Sequence, residues 1–507
     1  MADGTRQMGR RAVCLLPCVI ACVVVALGWF FNTRVAGGSD SYGYVSQADL
    51  WLHGLPIVDQ SFVSRAPWPL AAETFSPLGY RPDATGTALV PIYSPGLPML
   101  MATAKTIAGM CGVFAIVPIA GGVLVLATYW IGRQLVGPLV GLASAWIVAT
   151  SPTFLYMVVQ PMSDVPAAAA WAVAIGGVIA GTTALAALSG VAAAIAILIR
   201  PNLVLIAAVL FIRAWTRRGL SAVAFAVPVA LAVVVTAAIN NRLHGSPLSS
   251  GYDLTGGFAW SYILPNLRNY GTWLLGAETP LAAAGLAYVA FVSPVMAVIA
   301  AVVWLSYLVY FPWDAWWYLR FLLPAWPAMA IGTAALMRRA NHVGAIVIVA
   351  LGVVGVWQAI HRGAFAIASE ESRYVEVARV VESSTPTNAV VISAQHSGAL
   401  RFYAGRMTLR WEMFDPAWLD RAVTWLAANG HHPFIVLDDA EVIAFRERFA
   451  QASAVGKLDW EPSVTFRAGT IAFYDALARD RRDVPIAQPS IRAMRECVPP
   501  RLWPVFR

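Results

Sequence analysis

Residues 165–199, VPAAAAWAVAIGGVIAGTTALAALSGVAAAIAILI, contain no charged side chain. A charged group at the centre of a bilayer costs roughly 2.5 to 3.5 kcal/mol on insertion scales, so such a run is typical of membrane-spanning helices. It is longer than the roughly 20 residues that one span needs and shorter than two full spans. We expect a bend at Gly181-Thr182-Thr183, because glycine interrupts helices. The stretch therefore predicts two short helices in lipid.

The composition of the whole chain points the same way. Of its 507 residues, 59% are hydrophobic and 12% are charged, whereas water-soluble domains carry about 25% charged residues. These values exclude a disordered or fibrous protein and make membrane lipids the expected surroundings. The formal charge of +8 is spread over short arginine-bearing turns and a basic C-terminal tail, so nucleic acid is not an expected partner.

Sparse charges divide the first 361 residues into about eleven predicted transmembrane helices. The predicted spans are residues 12–31, 112–132, 138–158, 163–182, 183–199, 201–213, 220–240, 281–292, 294–310, 321–337 and 342–361. A second bend is expected at Ser293-Pro294, because proline also interrupts helices. The sequence thus predicts an α-helical polytopic membrane protein.

Arginine clusters predict which helix ends face the cytoplasm, where Lys and Arg are in excess. These clusters are Arg6 with Arg10 and Arg11, Arg133, Arg213 with Arg217 and Arg218, and Arg338 with Arg339. Eleven crossings place all of these arginine clusters on the cytoplasmic side, provided that residues 96–110 lie in the membrane interface or form a re-entrant segment. The N-terminus is then cytoplasmic, and residues 32–95 form a large outer loop.

Beyond His361 the composition becomes that of a soluble domain. Strands are predicted at residues 389–393, 433–438, 464–466 and 470–474, and helices at 416–430 and 440–449. Because strands and helices alternate, we expect a small α/β domain over residues 362–478, on the extracytoplasmic side. Residues 479–507 are predicted to be a basic, flexible tail. The predicted domains are therefore 1–361, 362–478 and this tail.

Asp40 is the first candidate site residue, in Gly37-Gly38-Ser39-Asp40-Ser41-Tyr42 directly after the first span. Residues 41–53 are predicted to form a short interfacial helix. Asp40 with Ser39 could cap that helix, or Asp40 could act on a substrate, and the two roles can coexist.

Asp164, Arg200, Asp314 and Arg320 fall at the outward ends of other predicted spans. Asp164 is the only charged residue between Arg133 and Arg200, and carboxylates at a membrane border usually have partners. It could also cap a helix. Arg200 is expected to pair with an anion, either Asp164 or a ligand phosphate. Arg320 could hold an anion or snorkel to the interface beside its aromatic neighbours.

Motifs of other enzyme classes are absent from the sequence. It has no Walker motif, no Gly-Xaa-Ser-Xaa-Gly elbow, no CxxC and no His/Cys cluster with metal-binding spacing. His396 and the pair His431-His432 are predicted to be surface residues. No cofactor and no metal are indicated.

Five short motifs occur in an order that resembles a known superfamily. They are Asp40 after span one, Tyr93-Ser94-Pro95-Gly96-Leu97-Pro98, Ser163-Asp164-Val165-Pro166, Leu198-Ile199-Arg200-Pro201 and Tyr318-Leu319-Arg320-Phe321-Leu322-Leu323-Pro324. Together they resemble the GT-C membrane glycosyltransferases, in particular the bacterial glycosyltransferase 39-like group related to protein O-mannosyltransferases and the lipid A aminoarabinose transferase. The resemblance covers about residues 12–361.

The resemblance implies an inverting glycosyltransferase that moves a sugar from a polyprenyl-phosphate donor to an acceptor hydroxyl on the outer side of the bacterial plasma membrane. Asp40 would be the general base and Asp164 the second carboxylate. Arg320, with Arg200, would bind the donor phosphate. The acceptor would be a glycan, lipid or protein. The remaining expected substrate contacts are Tyr42, Tyr93, Asp314 and Tyr318.

Two other functional classes fit parts of the pattern. Broken helices with charges at the membrane border also serve a multispan transporter of a lipid-linked or anionic substrate. A non-enzymatic envelope assembly factor would display the C-terminal domain. Against a transporter stand the large first loop and the lack of a visible inverted repeat.

Overall fold

The computed structural model describes residues 2–54, 56–252, 254–466, 470–478 and 496–501. Most of these residues are helical. The α-helices are α1 (Ala2–Phe30), α2 (Asp40–Leu52), α3 (Ala71–Thr74), α4 (Gly96–Leu135), α5 (Pro138–Thr150), α6 (Pro152–Val158), α7 (Asp164–Ala180), α8 (Thr183–Ile199), α9 (Leu205–Trp215), α10 (Gly219–His244), α11 (Leu254–Gly257), α12 (Ile263–Trp273), α13 (Pro280–Val292), α14 (Pro294–Leu308), α15 (Trp326–Arg338), α16 (Asn341–His361), α17 (Ile367–Ser384), α18 (Ser397–Ala399), α19 (Leu419–Ala428) and α20 (Asp439–Phe449).

Strands are short and fall outside the apolar runs. They are β1 (Val58–Asp59), β2 (Tyr80–Pro82), β3 (Ala88–Pro91), β4 (Ala389–Ile392), β5 (Met407–Leu409), β6 (His432–Asp438), β7 (Val464–Phe466) and β8 (Ile471–Asp475). Two 3₁₀ segments, Pro201–Leu203 and Trp316–Ala325, follow or contain candidate site residues. Residues Leu274–Glu278 form a π-helix.

The chain divides into two units. The helical unit comprises residues 1–32, 94–239 and 252–367, and the α/β unit comprises residues 33–93, 240–251 and 368–507. The last segment of the helical unit ends at residue 367, whereas the predicted transmembrane domain ends at residue 361. Sequence reasoning assigned the first outer loop to the transmembrane domain, whereas the structure groups it with the C-terminal residues. The predicted tail, 479–507, lies almost wholly outside the described residues.

The helical unit contains the apolar helices. Among the described residues, four helices are long and apolar enough to cross a membrane, and the number rises to six if each of two bent helix pairs counts as one span. Five further apolar helices have 10–17 residues. Every predicted span coincides with one of these helices or pairs, while the number of crossings stays a prediction.

The predicted breaks are present in the helical unit. Helix α7 ends at Gly181, whose φ of +78° favours glycine, and α8 begins two residues later. Ser293 separates α13 from α14. Helix α4 loses helical geometry at Ala108 and Gly109, in the segment for which an interfacial or re-entrant path was predicted.

Small residues allow the helices of this unit to pack closely. A Cβ added to Gly332 of α15 would lie 1.9 Å from the carbonyl oxygen of Gly285 in α13, so the two backbones are in direct contact. Close approach through small residues is the usual basis of helix association in lipid. The interior beside these helices is filled by large side chains such as Trp171, Phe154 and Trp326, all fully buried.

The α/β unit contains two sheets. Three short antiparallel strands from the first loop form one sheet in the order β1-β3-β2. The other has the order β5-β4-β6-β8-β7, with β4 parallel to both β5 and β6 and with β8 antiparallel to β6 and β7. The predicted α/β class of the C-terminal region is therefore confirmed. Strand β5 and helix α17 were not predicted.

The first loop and the C-terminal residues share one hydrophobic core. The ring centroid of Trp68 lies 5.7 Å from that of Phe75, 5.6 Å from Phe414 and 5.4 Å from Trp425. The backbone N–H of Arg410 also donates to the carbonyl of Thr74 at 2.7 Å. Because burying aromatic side chains is strongly favourable, residues 33–93 are an integral part of this unit.

Helix α2 matches the predicted helix 41–53 in length but not in its surroundings. Residues 41–50 are all buried, whereas an interfacial helix was expected to bury one face. Tyr42 packs against Tyr80 and Phe402, with ring centroids 5.6 Å and 6.3 Å away. Helix α2 is buried on all sides because the core of the α/β unit encloses it.

Candidate active site

The ion pair between Asp164 and Arg200 is the centre of the candidate site in the helical unit. Asp164 is the first residue of α7, and Arg200 follows the last residue of α8, so the bend at Gly181 brings the two ends together. Arg200 Nη2 lies 2.5 Å from Asp164 Oδ1, and the two side chains are 11% and 2% exposed. The expected anionic partner of Arg200 is thus confirmed.

Arg200 is held by two further hydrogen bonds. Its Nε donates to Ser163 Oγ at 3.0 Å, and its Nη1 donates to Tyr307 Oη of α14 at 3.1 Å. Ser163, the N-cap residue of α7, makes no side-chain capping bond to the helix. Asp164, the first residue of α7, holds the guanidinium group of Arg200.

Arg320 lies beside the same loop and the same ring. Its Nη1 donates to Met162 Sδ at 2.8 Å. The guanidinium carbons of Arg200 and Arg320 lie 5.6 Å and 5.3 Å from the ring centroid of Phe321, so they are no more than about 11 Å apart. Both guanidinium groups carry positive charge, and guanidinium forks are well suited to binding phosphate.

Asp40 is held by Tyr93 within the α/β unit. Tyr93 Oη donates to Asp40 Oδ1 at 2.6 Å, and Ser39 Oγ lies 2.7 Å from the same hydroxyl. Asp40 is the first residue of α2, and Ser39, at the N-cap position, makes no side-chain cap bond. The carboxylate is half-buried and accepts a hydrogen bond from the phenol of Tyr93.

A glycine in α2 makes room for that phenol. A Cβ at Gly43 would lie 2.2 Å from Tyr93 Cε2, closer than any two carbon atoms can approach without displacement. The ring of Tyr44 packs against that of Tyr93, at a centroid distance of 4.6 Å. Tyr93 is therefore held in place by its contacts with α2.

The loop before Asp40 rests on α17. A Cβ at Gly37 would lie 2.3 Å from Tyr374 Cδ2 and 2.7 Å from Glu371 Oε2, and the N–H of Ala36 donates to Tyr403 Oη at 2.7 Å. Burial raises the pKa of Glu371 to about 7, while Arg373 opposes this rise. A carboxyl group that titrates near neutral pH thus contacts the loop that carries Asp40.

The fold was compared with those of known proteins. No protein-family model and no curated protein sequence matches the chain. Among solved structures, ArnT from Cupriavidus metallidurans in the apo state is 12% identical with a TM-score of 0.55, and the match covers 85% of this chain and 94% of that one. The same protein bound to undecaprenyl phosphate gives 13% identity, a TM-score of 0.52 and the same coverage.

An archaeal structure gives a similar match. The oligosaccharyltransferase AglB from Archaeoglobus fulgidus, in complex with an inhibitory peptide and a dolichol-phosphate, is 12% identical with a TM-score of 0.51. The match covers 90% of this chain and 74% of that one. The chain has the fold of the GT-C glycosyltransferases. The fold that the five motifs implied is therefore confirmed.

The remaining predicted site residues have different surroundings within this GT-C fold. Tyr42 is fully buried, with Gly398 against its ring, so its position gives no support to the predicted contact with substrate. Asp314 is exposed. Tyr318 stacks on Trp313 at 5.1 Å, and the guanidinium carbon of Arg320 lies 5.1 Å from its ring. Tyr318 therefore belongs with Arg320.

Glu278 was missed by sequence reasoning. It lies at the end of the π-helix before α13 and is 8% exposed. Its Oε1 accepts hydrogen bonds from Ser151 Oγ at 2.8 Å and from the N–H of Thr153 at 3.2 Å. An acidic residue directly before the apolar run 279–313 was the available signal.

His396 was predicted to be a surface residue, and this prediction is wrong. Its side chain is fully buried, and Nε2 lies 2.7 Å from Asp438 Oδ1. The ring of Tyr374 covers it at a centroid distance of 4.9 Å. The reason for the error is that β6, which ends at Asp438, packs next to β4, a long-range contact without a local signal.

Metal binding has no candidate cluster of side chains in the described part of the chain. No group of three or more His, Cys, Asp or Glu side chains there could hold a metal ion. The polar groups described above are carboxylates, guanidinium groups and phenols. Such groups can transfer a proton and bind an anion.

Proposed function

We propose that the protein is an inverting glycosyltransferase that moves a sugar from a polyprenyl-phosphate donor to an acceptor hydroxyl. The paired guanidinium groups of Arg200 and Arg320, beside the buried carboxylate of Asp164, carry this proposal. It is supported by the GT-C fold, since ArnT was solved with undecaprenyl phosphate and AglB with a dolichol-phosphate.

In the proposed reaction, the acceptor oxygen attacks the anomeric carbon of the sugar. Asp40 accepts the hydroxyl proton, a new carbon–oxygen bond forms, and the bond from the anomeric carbon to the donor phosphate breaks. The polyprenyl phosphate leaves with the bonding electrons. General base catalysis of this kind contributes roughly 10² to 10⁴ in rate, and the half-buried carboxylate of Asp40, which accepts a hydrogen bond from Tyr93, is suited to it.

The departing phosphate gains negative charge as this bond breaks, and Arg320 is proposed to stabilise it together with Arg200. Asp164 then acts as a positioning residue, because its carboxylate holds Arg200 at 2.5 Å. Tyr318, which lies against Arg320, is proposed to line the same region. No cofactor is required, since phosphate is already a fair leaving group.

We also propose that the reaction takes place on the outer side of a bacterial plasma membrane, with a cytoplasmic N-terminus. The positions of the arginine clusters along the sequence support this orientation. The acceptor is a glycan, a lipid or a protein, because the proposed chemistry requires only a hydroxyl group.

The proposal is tested with purified full-length protein, a labelled polyprenyl-phosphate sugar and a membrane extract that supplies acceptors. We expect Asp40→Asn to lower transfer by roughly 10² to 10⁴, because an amide cannot accept the proton. Asp59→Asn is the matched control, since Asp59 is an exposed aspartate of the same loop.

Two outcomes would contradict this proposal, one for the role of Asp40 and one for the transferase activity. Full activity of Asp40→Asn would remove Asp40 as the base. Movement of the intact lipid-linked sugar across reconstituted vesicles, with no cleavage of the sugar–phosphate bond, would instead favour the transporter.

A further inference from the structure

A second basic site lies in the helical unit. It is a cavity of about 580 Å³ whose polar walls are Gln134, Arg213, Arg217 and Ser293. The other lining side chains are mostly apolar and come from the ends of α4, α7, α13 and α14. This volume falls within the usual range of roughly 300 to 1,000 Å³ for ligand pockets.

The cavity is at the opposite end of the helices that form the candidate phosphate site. Helix α7 runs from Asp164 to the cavity wall at Ala180, and α14 runs from the cavity wall at Pro294 to Tyr307. With a rise of 1.5 Å per residue, each path is about 20 Å or more. The cavity is therefore separate from the site proposed above, and the predicted orientation puts its arginines on the cytoplasmic side.

Two arginines give the cavity its charge. Arg213 and Arg217 line the same cavity and are close enough to repel each other electrostatically. Neither guanidinium group makes a hydrogen bond or an ion pair with any residue that the structure describes. Such a pair is stabilised when an anion binds between the two charges, and guanidinium groups bind phosphate in a bidentate geometry.

The surroundings of the cavity indicate where this phosphate comes from. Ile212, Trp215 and Leu220 flank the two arginines in sequence and are 62%, 60% and 71% exposed. Tryptophan is enriched at membrane interfaces, and exposed aliphatic side chains on such helices face lipid. A phosphate reaching this cavity would be accompanied by acyl chains, for which these exposed side chains provide an apolar surface.

We propose that the cavity formed by Gln134, Arg213, Arg217 and Ser293 binds the phosphate of an anionic phospholipid headgroup. Basic pockets between transmembrane helices bind such headgroups in other membrane proteins. The bound phosphate would neutralise Arg213 and Arg217. It would also stabilise the packing of α9 against α7 and α14, the helices that carry or flank Asp164, Arg200 and Tyr307.

The test uses purified full-length protein in detergent and measures its thermal unfolding midpoint and its bound lipid by native mass spectrometry. Phosphatidylglycerol, phosphatidylcholine and inorganic phosphate are added in separate titrations. We expect phosphatidylglycerol alone to raise the midpoint, because a ligand stabilises the folded state that binds it. In Arg213→Gln/Arg217→Gln, its affinity should fall by at least about tenfold.

The milder variant Arg217→Gln has Arg218→Gln as its matched control, because Arg218 is adjacent, exposed and not part of the cavity wall. We expect Arg217→Gln to weaken phosphatidylglycerol binding and Arg218→Gln to leave it unchanged. Equal weakening in both variants would mean a diffuse surface effect and would overturn the proposal. So would stabilisation by inorganic phosphate alone, or equal stabilisation by phosphatidylcholine. None of these measurements depends on transferase activity.

Discussion

The hydroxyl of Tyr93 donates the 2.6 Å hydrogen bond that orients Asp40 Oδ1. Hydrogen bonds to charged groups contribute about 1.5 to 3 kcal/mol. We therefore expect Tyr93→Phe to lower kcat by about tenfold or more while KM changes little, because the phenyl ring keeps its packing on α2. Steady-state kinetics with the lipid-linked sugar donor would measure this split.

The control for this prediction is Tyr44→Phe, because the ring of Tyr44 lies 4.6 Å from that of Tyr93 and the substitution also removes one hydroxyl. We expect a smaller effect from it. An unchanged kcat in Tyr93→Phe would show that orientation of Asp40 by this phenol does not limit the reaction.

Glu371 gives a second prediction at the scale of a residue. Its pKa rises from an ordinary value near 4.5 to about 7 because the carboxyl group is buried, and Glu370 and Asp438 add to this rise while Arg373 opposes it. The folded state therefore binds a proton that the unfolded state has lost between about pH 4.5 and 7. In this window, Glu371 makes the free energy of unfolding fall as pH rises.

Replacing this carboxyl group with an amide removes its pH-dependent lowering of the free energy of unfolding. We expect the unfolding midpoint of Glu371→Gln to exceed that of the wild type by an amount that grows from pH 5 to pH 8. Glu370→Gln should show no such growth, because Glu370 is an exposed neighbour. Parallel midpoint curves for the wild type and Glu371→Gln would contradict the raised pKa.

At the scale of elements, helix α2 depends on Gly43 for its contact with Tyr93. Alanine is favoured over glycine inside helices by about 1 kcal/mol, but a Cβ here would lie 2.2 Å from Tyr93 Cε2. We expect Gly43→Ala to reduce transfer at least as much as Tyr93→Phe, because the ring must move away from Asp40.

Gly271→Ala in α12 provides the control, since a Cβ there meets nothing within 4 Å. This variant should keep full activity and gain the usual helix propensity. Both variants are compared by transfer rate and unfolding midpoint. Full activity in Gly43→Ala would mean that Tyr93 can move without disturbing Asp40.

Elements with a strong local pattern were predictable from the sequence. The uncharged runs located the apolar helices, and the bends at Gly181 and Ser293 followed from local breaker residues. Strands β4 and β6 were found because each is an apolar run. Strands β1, β2, β3 and β5 have two to four residues, too few to show an alternating period.

Long-range contacts account for the misses at the site. Asp164 and Arg200 could be paired in advance, because no other charge lies between them. The contact of Arg320 with Met162 spans 158 residues and involves no opposite charge. Nothing local in the sequence connects Gly37 with Glu371 either, although the structure brings them into contact.

At the scale of the whole molecule, the α/β unit imposes a constraint on topology. Trp68 and Phe75 of the first loop share a core with Phe414 and Trp425. Because a hydrophobic core cannot be divided by a bilayer, residues 33–93 and 368–478 must lie on one side of the membrane. The chain must therefore cross the membrane an even number of times between residues 93 and 368. This constraint holds whatever the total number of spans.

Cysteine labelling in right-side-out spheroplasts tests this constraint and the proposed orientation together. In a background with Cys14, Cys18 and Cys22 replaced by serine, we expect a membrane-impermeant maleimide to label Thr85→Cys and Glu447→Cys, both at exposed positions of the α/β unit. Arg218→Cys, just beyond α9, should react only after permeabilisation. Labelling of Thr85→Cys without Glu447→Cys would contradict the shared core. Labelling of Arg218→Cys alone would keep the core but reverse the orientation, and the proposed reaction would then lie on the cytoplasmic side.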